Sequence, residues 1–238
     1  MNNPKVSVII PSYNRISYLK NALDSVYKQS YSNYEIIVLN DGSTQPEYKS
    51  FKFPNNVKVV HINRDETPDW GGSRQPLRNI GSSYSTGEYL AFLDDDDIWM
   101  PNKLEIQIKK MLVKNYKFSS TEGYFGTGIF NNEVTYQKYN SERFMKTLRK
   151  KYRWSRYLKN KKFPEVWNYN FLKIHNCIIL SSVVVEKKLY DRIGGMRGLP
   201  KAADYDCWLN ILKLENLLYI DEPLFYYDSG HGDGKLYK

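Results

Sequence analysis

The sequence predicts an α/β fold in which helices flank a mainly parallel central sheet, in one compact domain over residues 1–238. Two observations lead to this prediction. Short apolar runs, typical of buried strands, alternate with stretches whose apolar residues recur at helical spacing. The chain is also 41% hydrophobic and 26% charged, a globular composition with enough residues for one sizeable core. No repeat, low-complexity stretch or flexible linker separates the two halves, so they are expected to share that core.

The first hundred residues contain four predicted strands and two predicted helices. The first strand is expected to end at Pro11, because proline cannot donate to a sheet ladder. The first helix follows from apolar residues at i, i+3, i+4 and i+7, with Asn14 or Ser17 available as its N-cap. The predicted strands are 6–10, 34–39, 57–62 and 89–93, and the predicted helices are 16–29 and a segment containing Leu77, Ile80 and Tyr84.

Beyond residue 100 the pattern is weaker. Pro101 suits the first position of a helix, and apolar residues follow it at helical spacing up to Leu112. The remaining predictions are strands at 123–130 and 177–185, a short helix at 205–214 and a strand-like run at 224–227.

Charge and cysteine content limit the classes of function. Lys and Arg number 35 against 26 Asp and Glu, and the net charge of +9 favours an anionic partner. Cys177 and Cys207 are too few and too isolated for a disulfide framework or a zinc site, and are expected to pack as small apolar side chains in a reducing compartment. No apolar run approaches the ~18–20 residues of a membrane helix, so we expect a soluble, cytoplasmic protein, able to rest on a membrane surface.

A basic segment, residues 138–163, lies in the second half of the chain, where the secondary-structure pattern is weaker. It holds one acidic residue, Glu142, and its apolar residues recur at helical spacing among many Lys and Arg. Its cationic face could contact an anionic membrane, an acidic glycan or nucleic acid, or it could simply be solvated.

Polar loops follow three of the predicted strands, and parallel sheets bind ligands at this edge. The loops are PSYNR (Pro11–Arg15), NDGS (Asn40–Ser43) and DDDD (Asp94–Asp97). Tyr13 could stack on a nucleobase, and Asp41 could accept a hydrogen bond from a base or a ribose. The common phosphate cradles are absent, since no GxxxxGK[ST] occurs and no GxGxxG follows the first strand, which argues against a P-loop enzyme or a dinucleotide dehydrogenase.

The four consecutive aspartates are the sharpest single signal. Their carboxylates repel one another unless a cation joins them, and hard oxygen ligands suit Mg²⁺ or Mn²⁺. Because alternate residues of an extended chain face the same way, Asp94 with Asp96, or Asp95 with Asp97, could point into the crevice together. Part of the run could instead form a solvated turn and cap the following helix.

Taken in order, these motifs resemble the family 2 inverting glycosyltransferases. The stretches that carry the resemblance are VSVIIPSYNR, YEIIVLNDGS, RNIG, GEYLAFLDDDDIWMPNKLE and ADYDCWL. The similarity is dense over residues 5–105 and returns at 193–227. It implies the A-type glycosyltransferase (GT-A) fold of nucleotide-diphospho-sugar transferases, with residues 1–100 as the nucleotide-sugar-binding half and residues 101–238 as the acceptor-binding half.

The resemblance also implies a nucleotide site. The first-strand loop of the family packs on the nucleobase, which assigns that role to Pro11, Ser12 and Tyr13, with Arg15 close enough to assist. Asp41 is then the acidic residue that recognises the uracil or ribose edge. Arg78, in RNIG, matches a family arginine near the sugar nucleotide, and Arg74 is a weaker neighbour.

The metal ligands follow from the same resemblance. Asp96 best matches the metal-binding position of the family's Asp-x-Asp signature, for Mn²⁺ or Mg²⁺. Asp94 or Asp95 would then reach the ribose or a metal-bound water. His231, in DSGHGDG, lies where some similar transferases place a histidine on the metal or the diphosphate, although a free loop histidine is the more common case.

Asp204 matches the catalytic base of the family, which is the aspartate of a Glu-Asp pair before a short Trp-containing helix. Ala203 replaces the glutamate of that pair. Asp206 is the rival, but residues i and i+2 of a helix point about 200° apart, so only one of them can face the donor. An aspartate at this position could also serve only as the N-cap of the helix.

The predicted function is therefore inverting transfer of a sugar from a nucleoside diphosphate sugar, with a UDP-sugar as the expected donor, to a glycan, lipid-linked or protein acceptor. No nucleic-acid partner is expected. One alternative is a noncatalytic transferase-like domain that binds a polyanion, which Ala203 favours. The other is a sugar-nucleotide pyrophosphorylase, although PSYNR is not the glycine-rich loop with which such enzymes open.

Overall fold

A computed structural model describes residues 3–68, 74–160 and 162–231. The strands are β1 (Val6–Ser12), β2 (Tyr34–Asn40), β3 (Val57–His61), β4 (Tyr89–Phe92), β5 (Ile98–Trp99), β6 (Phe118–Gly126), β7 (Gln137–Lys138), β8 (Val166–Trp167), β9 (Val184–Glu186) and β10 (Leu217–Asp228). The α-helices are α1 (Ile16–Tyr27), α2 (Glu47–Ser50), α3 (Leu77–Tyr84), α4 (Lys103–Lys114), α5 (Met145–Lys151), α6 (Tyr169–Leu172), α7 (Lys187–Arg192) and α8 (Ala203–Ile211).

The strands form one mixed sheet in the order β3-β2-β1-β4-β9-β6-β10-β5, with β7 on β6 and β8 on β10. Its first block, β3-β2-β1-β4, is parallel throughout, and β6 pairs with β10 in parallel. The short strand β9 joins these two parts by antiparallel pairing with β4 and β6. The predicted α/β class with a mainly parallel sheet is confirmed. Strand order reverses beside β1, so the loops after β1 and β4 diverge into a crevice.

Strand β1 continues past Pro11, contrary to the prediction. Pro11 pairs with Leu39 of β2, and Ser12 pairs with Asn40. The backbone N–H of Asp41 donates to the carbonyl of Ser12 on the β2 side, so the groups of Pro11 face β4, which has ended at Phe92. No neighbouring strand therefore needs a backbone N–H at this position, and proline is tolerated there.

Helix α1 is confirmed, but neither predicted N-cap is used. The N-cap position is Arg15, without a side-chain cap, and the N–H of Ile16 donates to Oε1 of Gln45 at 3.2 Å. Asn14 instead takes a left-handed φ of 51°, and its Oδ1 accepts from the N–H groups of Thr44 and Gln45. A glutamine from the next loop thus supplies the cap and ties the loops after β1 and β2 together.

Several strands and helices in the second half of the chain begin or end at other residues than predicted. Strand β6 begins at Phe118, five residues before the prediction, and α8 covers Ala203–Ile211 rather than 205–214. Within the predicted strand 177–185, Leu180–Ser182 is a 3-10 turn and only the last residues join β9. The hydroxyl of Ser182 donates to the carbonyl of Ile179 at 2.6 Å, a local bond that competes with strand pairing.

The basic segment is not one continuous helix. A π-helical turn at Tyr139–Arg143 precedes α5, and turns follow it. The buried carboxylate of Glu122, on β6, accepts from the N–H groups of Asn140 and Ser141 at 3.0 and 2.9 Å. These two charge-assisted bonds hold the π-helical turn against the sheet, an arrangement that helical spacing alone does not predict.

Two apolar clusters cover the two faces of the sheet. Ile9 of β1 belongs to one and its neighbours Val8 and Ile10 to the other, as the alternation of a strand requires. Cys177 and Cys207 are free, buried thiols in the first cluster, which confirms their predicted packing role. In the three described ranges, no helix combines the length and apolar character needed to cross a bilayer.

Candidate active site

Six aspartates and four arginines meet at the carboxyl edge of the parallel block and the start of α8. Asp41 follows β2, Asp94–Asp97 follow β4, and Asp204 lies in the first turn of α8. The arginines, Arg15, Arg64, Arg74 and Arg78, each form an ion pair with one or two of these aspartates. If all ten groups are ionised, the site carries a formal charge of −2, which one divalent cation balances.

Asp95 is turned into the protein. It is buried, its Oδ2 accepts from the hydroxyl of Ser12 at 2.6 Å, and its Oδ1 pairs with the guanidinium of Arg15. The Ser12 hydroxyl also contacts the hydroxyl of Tyr48. These bonds join the loop after β4 to β1 and leave the carboxylate of Asp95 facing protein groups.

Asp94, Asp96 and Asp97 form a separate cluster. One oxygen of each lies within 4.8 Å of the other two, a spacing suited to shared binding of a cation. Oδ1 of Asp97 accepts from the N–H of Asp228 at 3.0 Å, whereas its buried Oδ2 has no hydrogen-bond partner among the described residues. An unpaired buried carboxylate oxygen beside two further carboxylates fits a hard divalent cation such as Mg²⁺ or Mn²⁺. Of the two predicted pairs, the structure groups Asp94 with Asp96, and adds Asp97.

The clustered charges disfavour ionisation. Burial and the charge of Asp94 raise the pKa of Asp96 to about 6, and burial with the charges of Asp96 and Asp94 raises the pKa of Asp97 well above its usual range. Burial likewise raises the pKa of Asp95 to about 7, although the Arg15 guanidinium opposes this shift. A bound cation would favour the charged forms of all three groups.

Arg78 lies next to the cluster on α3. Its guanidinium pairs with Oδ1 of Asp94, and its buried Nε has no hydrogen-bond partner among the described residues. Helix α3 approaches β1 closely at Gly81, where a Cβ would lie 2.6 Å from Cγ2 of Ile9. The glycine therefore lets α3 carry Arg78 close to the ends of the strands.

Asp41 and Tyr13 lie together at the other side of the crevice. The buried carboxylate of Asp41 pairs with Arg64, at 2.8 Å, and with Arg74. The guanidinium carbon of Arg64 lies 3.6 Å from the centroid of the Tyr13 ring. Arg64 thus covers one face of the ring that was predicted to stack on a nucleobase.

Asp204 is the second residue of α8, so it is not the N-cap, which is Ala202. Its backbone N–H donates to Oε1 of Gln75 at 2.8 Å. Burial raises the pKa of Asp204, while hydrogen bonds from the Tyr205 backbone and the Gln75 side chain, and the charge of Arg78, act in the opposite direction. Asp204 therefore lies close enough to Arg78 and to Asp94 of the acidic cluster to feel their charges.

Asp206 points elsewhere. Both of its oxygens pair with the exposed guanidinium of Arg197, with one bond of 2.8 Å to Nε. The structure thus separates the two candidates for the base: Asp204 lies among Gln75, Arg78 and Asp94, whereas Asp206 is engaged by a surface arginine.

His231 lies at the edge of the acidic cluster. Its Nδ1 is 3.9 Å from Oδ2 of Asp96, and its carbonyl accepts from Arg15 at 2.8 Å. The imidazole packs edge-on against Tyr227, with ring centroids 5.7 Å apart. The ring can therefore approach a group bound at Asp96, and more than half of its side chain is exposed.

Sequence reasoning missed several residues of this site. Arg64 follows β3, and the rule that ligands bind at strand ends applies to that loop too. Ser181 bonds the N–H of Asp94 at 3.0 Å from the 3-10 turn, and Gln75 reaches Asp204 across 129 residues of sequence. Neither of these last two contacts has a local signal in the sequence.

A family model described as glycosyl transferase family 2 matches residues 7–186. WfgD of Escherichia coli, a UDP-Glc:alpha-D-GlcNAc-diphosphoundecaprenol beta-1,3-glucosyltransferase, is 30% identical over 224 residues, which cover 93% of this chain and 75% of WfgD. A glycosyltransferase of Rickettsia bellii is 42% identical over 123 residues, which cover 51% of this chain but only 17% of that protein.

Two solved structures share the fold. TarS 1-349 of S. aureus, in complex with UDP-GlcNAc, matches 94% of this chain with a TM-score of 0.63 and 18% identity. The mannosyltransferase PcManGT of Pyrobaculum calidifontis, in complex with GDP-Man and Mn²⁺, matches 95% with a TM-score of 0.67 and 17% identity. The chain spans 58% and 57% of the lengths of these two structures.

Proposed function

Because this chain belongs to glycosyl transferase family 2, we propose that it transfers a sugar from a nucleoside diphosphate sugar to an acceptor hydroxyl, with inversion at the anomeric carbon. Residues 1–100 bind the donor and residues 101–238 bind the acceptor. The observation that carries the proposal is the position of the Asp94, Asp96 and Asp97 cluster beside Asp204, with Arg78 next to both.

The proposed donor is a UDP-sugar. The name of WfgD specifies UDP-Glc, and TarS binds UDP-GlcNAc. In this chain the nucleobase lies against Pro11, Ser12 and Tyr13, and Asp41 accepts a hydrogen bond from the base or the ribose. Because Arg64 already covers one face of Tyr13, the base either uses the other face or displaces the guanidinium.

Asp96, with Asp94 and Asp97, would hold Mn²⁺ or Mg²⁺, and His231 is close enough to join the ligands of the ion or of the diphosphate. When bound, the cation supplies positive charge that stabilises the departing nucleoside diphosphate. Two observations support this assignment: Oδ2 of Asp97 has no hydrogen-bond partner in the described part of the chain, and the pKa values of Asp96 and Asp97 are raised. Asp95 has a different proposed role, since its carboxylate orients Arg15 and Ser12 rather than meeting the ribose.

Asp204 acts as the general base. Its carboxylate takes the proton of the acceptor hydroxyl as the oxygen attacks the anomeric carbon from the side opposite the nucleotide, which accounts for inversion. A base with a raised pKa is a better proton acceptor than an ordinary aspartate, and burial of Asp204 supplies that shift. Arg78, whose Nε has no hydrogen-bond partner among the described residues, would bind the donor sugar or a phosphate oxygen.

Gln75 positions this base. The Gln75 side chain accepts a hydrogen bond from the backbone N–H of Asp204 and donates one to the Asp204 carboxylate. Both the backbone and the side chain of Asp204 are therefore held in place. The glutamate that precedes the base in similar enzymes is replaced here by the buried Ala203. Gln75 therefore provides a support that the helix itself lacks.

The acceptor is a hydroxyl of a glycan, a lipid-linked saccharide or a protein, and the name of WfgD gives a lipid-linked example. A group of half-buried aromatic rings lies next to the acidic cluster, where it offers apolar faces to a sugar: Phe125, Tyr139, Phe144 and Tyr227. Burial raises the pKa of Tyr227, and the charges of Tyr139 and of all three clustered aspartates add to that shift, which reflects this proximity.

A donor screen tests the proposal. We expect one UDP-sugar, in the presence of Mn²⁺, to raise the melting temperature, because a ligand that binds only the folded state stabilises it. The same donor should then release UDP slowly by hydrolysis and faster with an acceptor. Release from no nucleotide sugar at all would favour the alternative that Ala203 suggests, a noncatalytic domain that binds a polyanion.

A further inference from the structure

The positive charge of the chain is concentrated in one stretch, residues 143–160, which we call the basic patch. This stretch contains eight Lys and Arg and no Asp or Glu, whereas the whole chain has a net charge of +9. The remaining residues are therefore close to neutral. All eight basic side chains are exposed.

None of these eight groups forms an ion pair with a carboxylate in the described part of the chain. The nearest acid in sequence, Glu142, instead accepts from the backbone N–H of Lys138 at 2.9 Å. Within the described residues no carboxylate balances the charge of the basic patch, which is therefore available to an external anion.

Trp154 projects from the middle of the basic patch with 88% of its surface exposed. The guanidinium of Arg153 lies 5.1 Å from its ring centroid. The patch is fixed to the core on both sides of Trp154, because Leu148 and Leu158 are buried. An exposed indole flanked by cations is the side-chain pairing that favours the boundary between lipid headgroups and acyl chains.

An open cavity of about 770 Å³ is lined by Arg153 and Ser155, the sequence neighbours of Trp154, and by one acidic residue, Glu142. Its lining includes five cations of the patch: Lys146, Arg149, Lys150, Arg153 and Lys159. A concave surface with this charge can receive phosphate groups while the indole contacts apolar chains.

We propose that the basic patch binds the surface of an anionic phospholipid bilayer, with Trp154 at the headgroup boundary and the cations against lipid phosphates. A single-stranded nucleic acid would also bind to cations. Its bases, however, stack on several exposed aromatic side chains of the protein. In the patch Tyr152 is buried and Tyr157 half-buried, so only Trp154 is exposed in this way. The proposal does not depend on the transferase activity.

Co-sedimentation of the full chain with vesicles tests it. We expect binding to phosphatidylcholine vesicles that contain phosphatidylglycerol, little binding to phosphatidylcholine alone, and loss of binding at high salt. Since each cation near such a surface contributes about fivefold to partitioning, Arg149→Glu/Lys150→Glu should weaken binding by at least about 25-fold. The control Lys49→Glu/Lys188→Glu changes the net charge equally at exposed sites outside the patch, and should bind like the wild type.

The depth to which Trp154 inserts into the bilayer provides a second readout. Bromine on the lipid acyl chains should quench part of the tryptophan fluorescence of the wild type, and Trp154→Phe should abolish that quenching while near-ultraviolet circular dichroism shows an intact fold. Equal binding by the patch and control variants would overturn the proposal. So would binding to heparin or an oligonucleotide without binding to vesicles, which would identify a polyanion as the partner.

Discussion

The carboxylates at the two ends of the parallel block have pKa values shifted in opposite directions. At the amino end, Glu35 accepts hydrogen bonds from Lys5, Ser7 and Thr86, which outweigh its burial and lower its pKa to about 2. At the carboxyl end, burial and mutual repulsion raise the pKa of Asp96 to about 6, and Oδ2 of Asp97 has no partner among the described residues.

This difference indicates that one end of the sheet contributes to stability and the other to function. The amino end satisfies its charge with the protein's own groups, so Glu35 stabilises the fold. The carboxyl end has more aspartates than arginines among the described residues, and this excess of negative charge has a cost in stability. Such an excess is expected where a ligand supplies the missing charge, which is why we assign the ligand site to this end.

The largest effect is expected from Asp204→Asn. Loss of the base should reduce sugar transfer by about 10²- to 10⁴-fold and leave UDP binding unchanged, because only the proton acceptor is removed. Initial rates and calorimetric titration of UDP measure the two quantities. Asp206→Asn is the matched control and should keep nearly full activity, since Asp206 pairs with a surface arginine. A fully active Asp204→Asn variant would refute the assignment.

Gln75→Ala should have a smaller effect on the same step. We expect kcat to fall about tenfold while KM for the donor is unchanged, because a positioning bond is lost. The bond from Gln75 lowers the pKa of Asp204, so its removal should move the acid limb of the pH–rate profile to higher pH. Exposed Gln137→Ala is the control. An unchanged pH profile would show that Gln75 has only a structural role and does not position the base.

At the amino end, Glu35→Gln should lower the free energy of unfolding by about 1–2 kcal/mol at neutral pH, because charge-assisted hydrogen bonds are lost. The pKa of Glu35 falls from 4.5 in the unfolded chain to about 2, so its contribution is complete above pH 4.5 and is lost as the pH falls toward 2. Urea unfolding at several pH values should show wild type and variant converging in acid. A constant difference would contradict this.

At the carboxyl end, Asp97→Asn should have the opposite sign and the smallest size. Without metal we expect a gain of about 1 kcal/mol in stability, because the amide removes a buried carboxyl whose charged form is disfavoured by burial and by the charges of Asp96 and Asp94. The variant should also lose the increase in melting temperature that Mn²⁺ gives the wild type. Destabilisation as large as that of Glu35→Gln would show that both ends are built for stability.

The features that the sequence predicted correctly depend on local pattern. Periodicity identified the four parallel strands with α1 and α3, and the strand-end rule brought Tyr13, Asp41 and the Asp94–Asp97 run to one edge.

The features that it missed depend on contacts between distant residues. Pro11 continues β1 only because β4 ends beside it, and the π-helical turn depends on the buried Glu122. Within the site, the stacking of Arg64 on Tyr13 and the bond between Gln75 and Asp204 arise from the way separate loops pack. Such contacts have no periodic signal in the sequence.

The most direct test of the account is calorimetric titration of UDP into the wild-type chain and Asp96→Ala, each with Mn²⁺ and with a chelator. We expect Mn²⁺ to strengthen UDP binding by the wild type and to have no effect on binding by the variant. Wild-type affinity for UDP that is the same in chelator as in Mn²⁺ would contradict it.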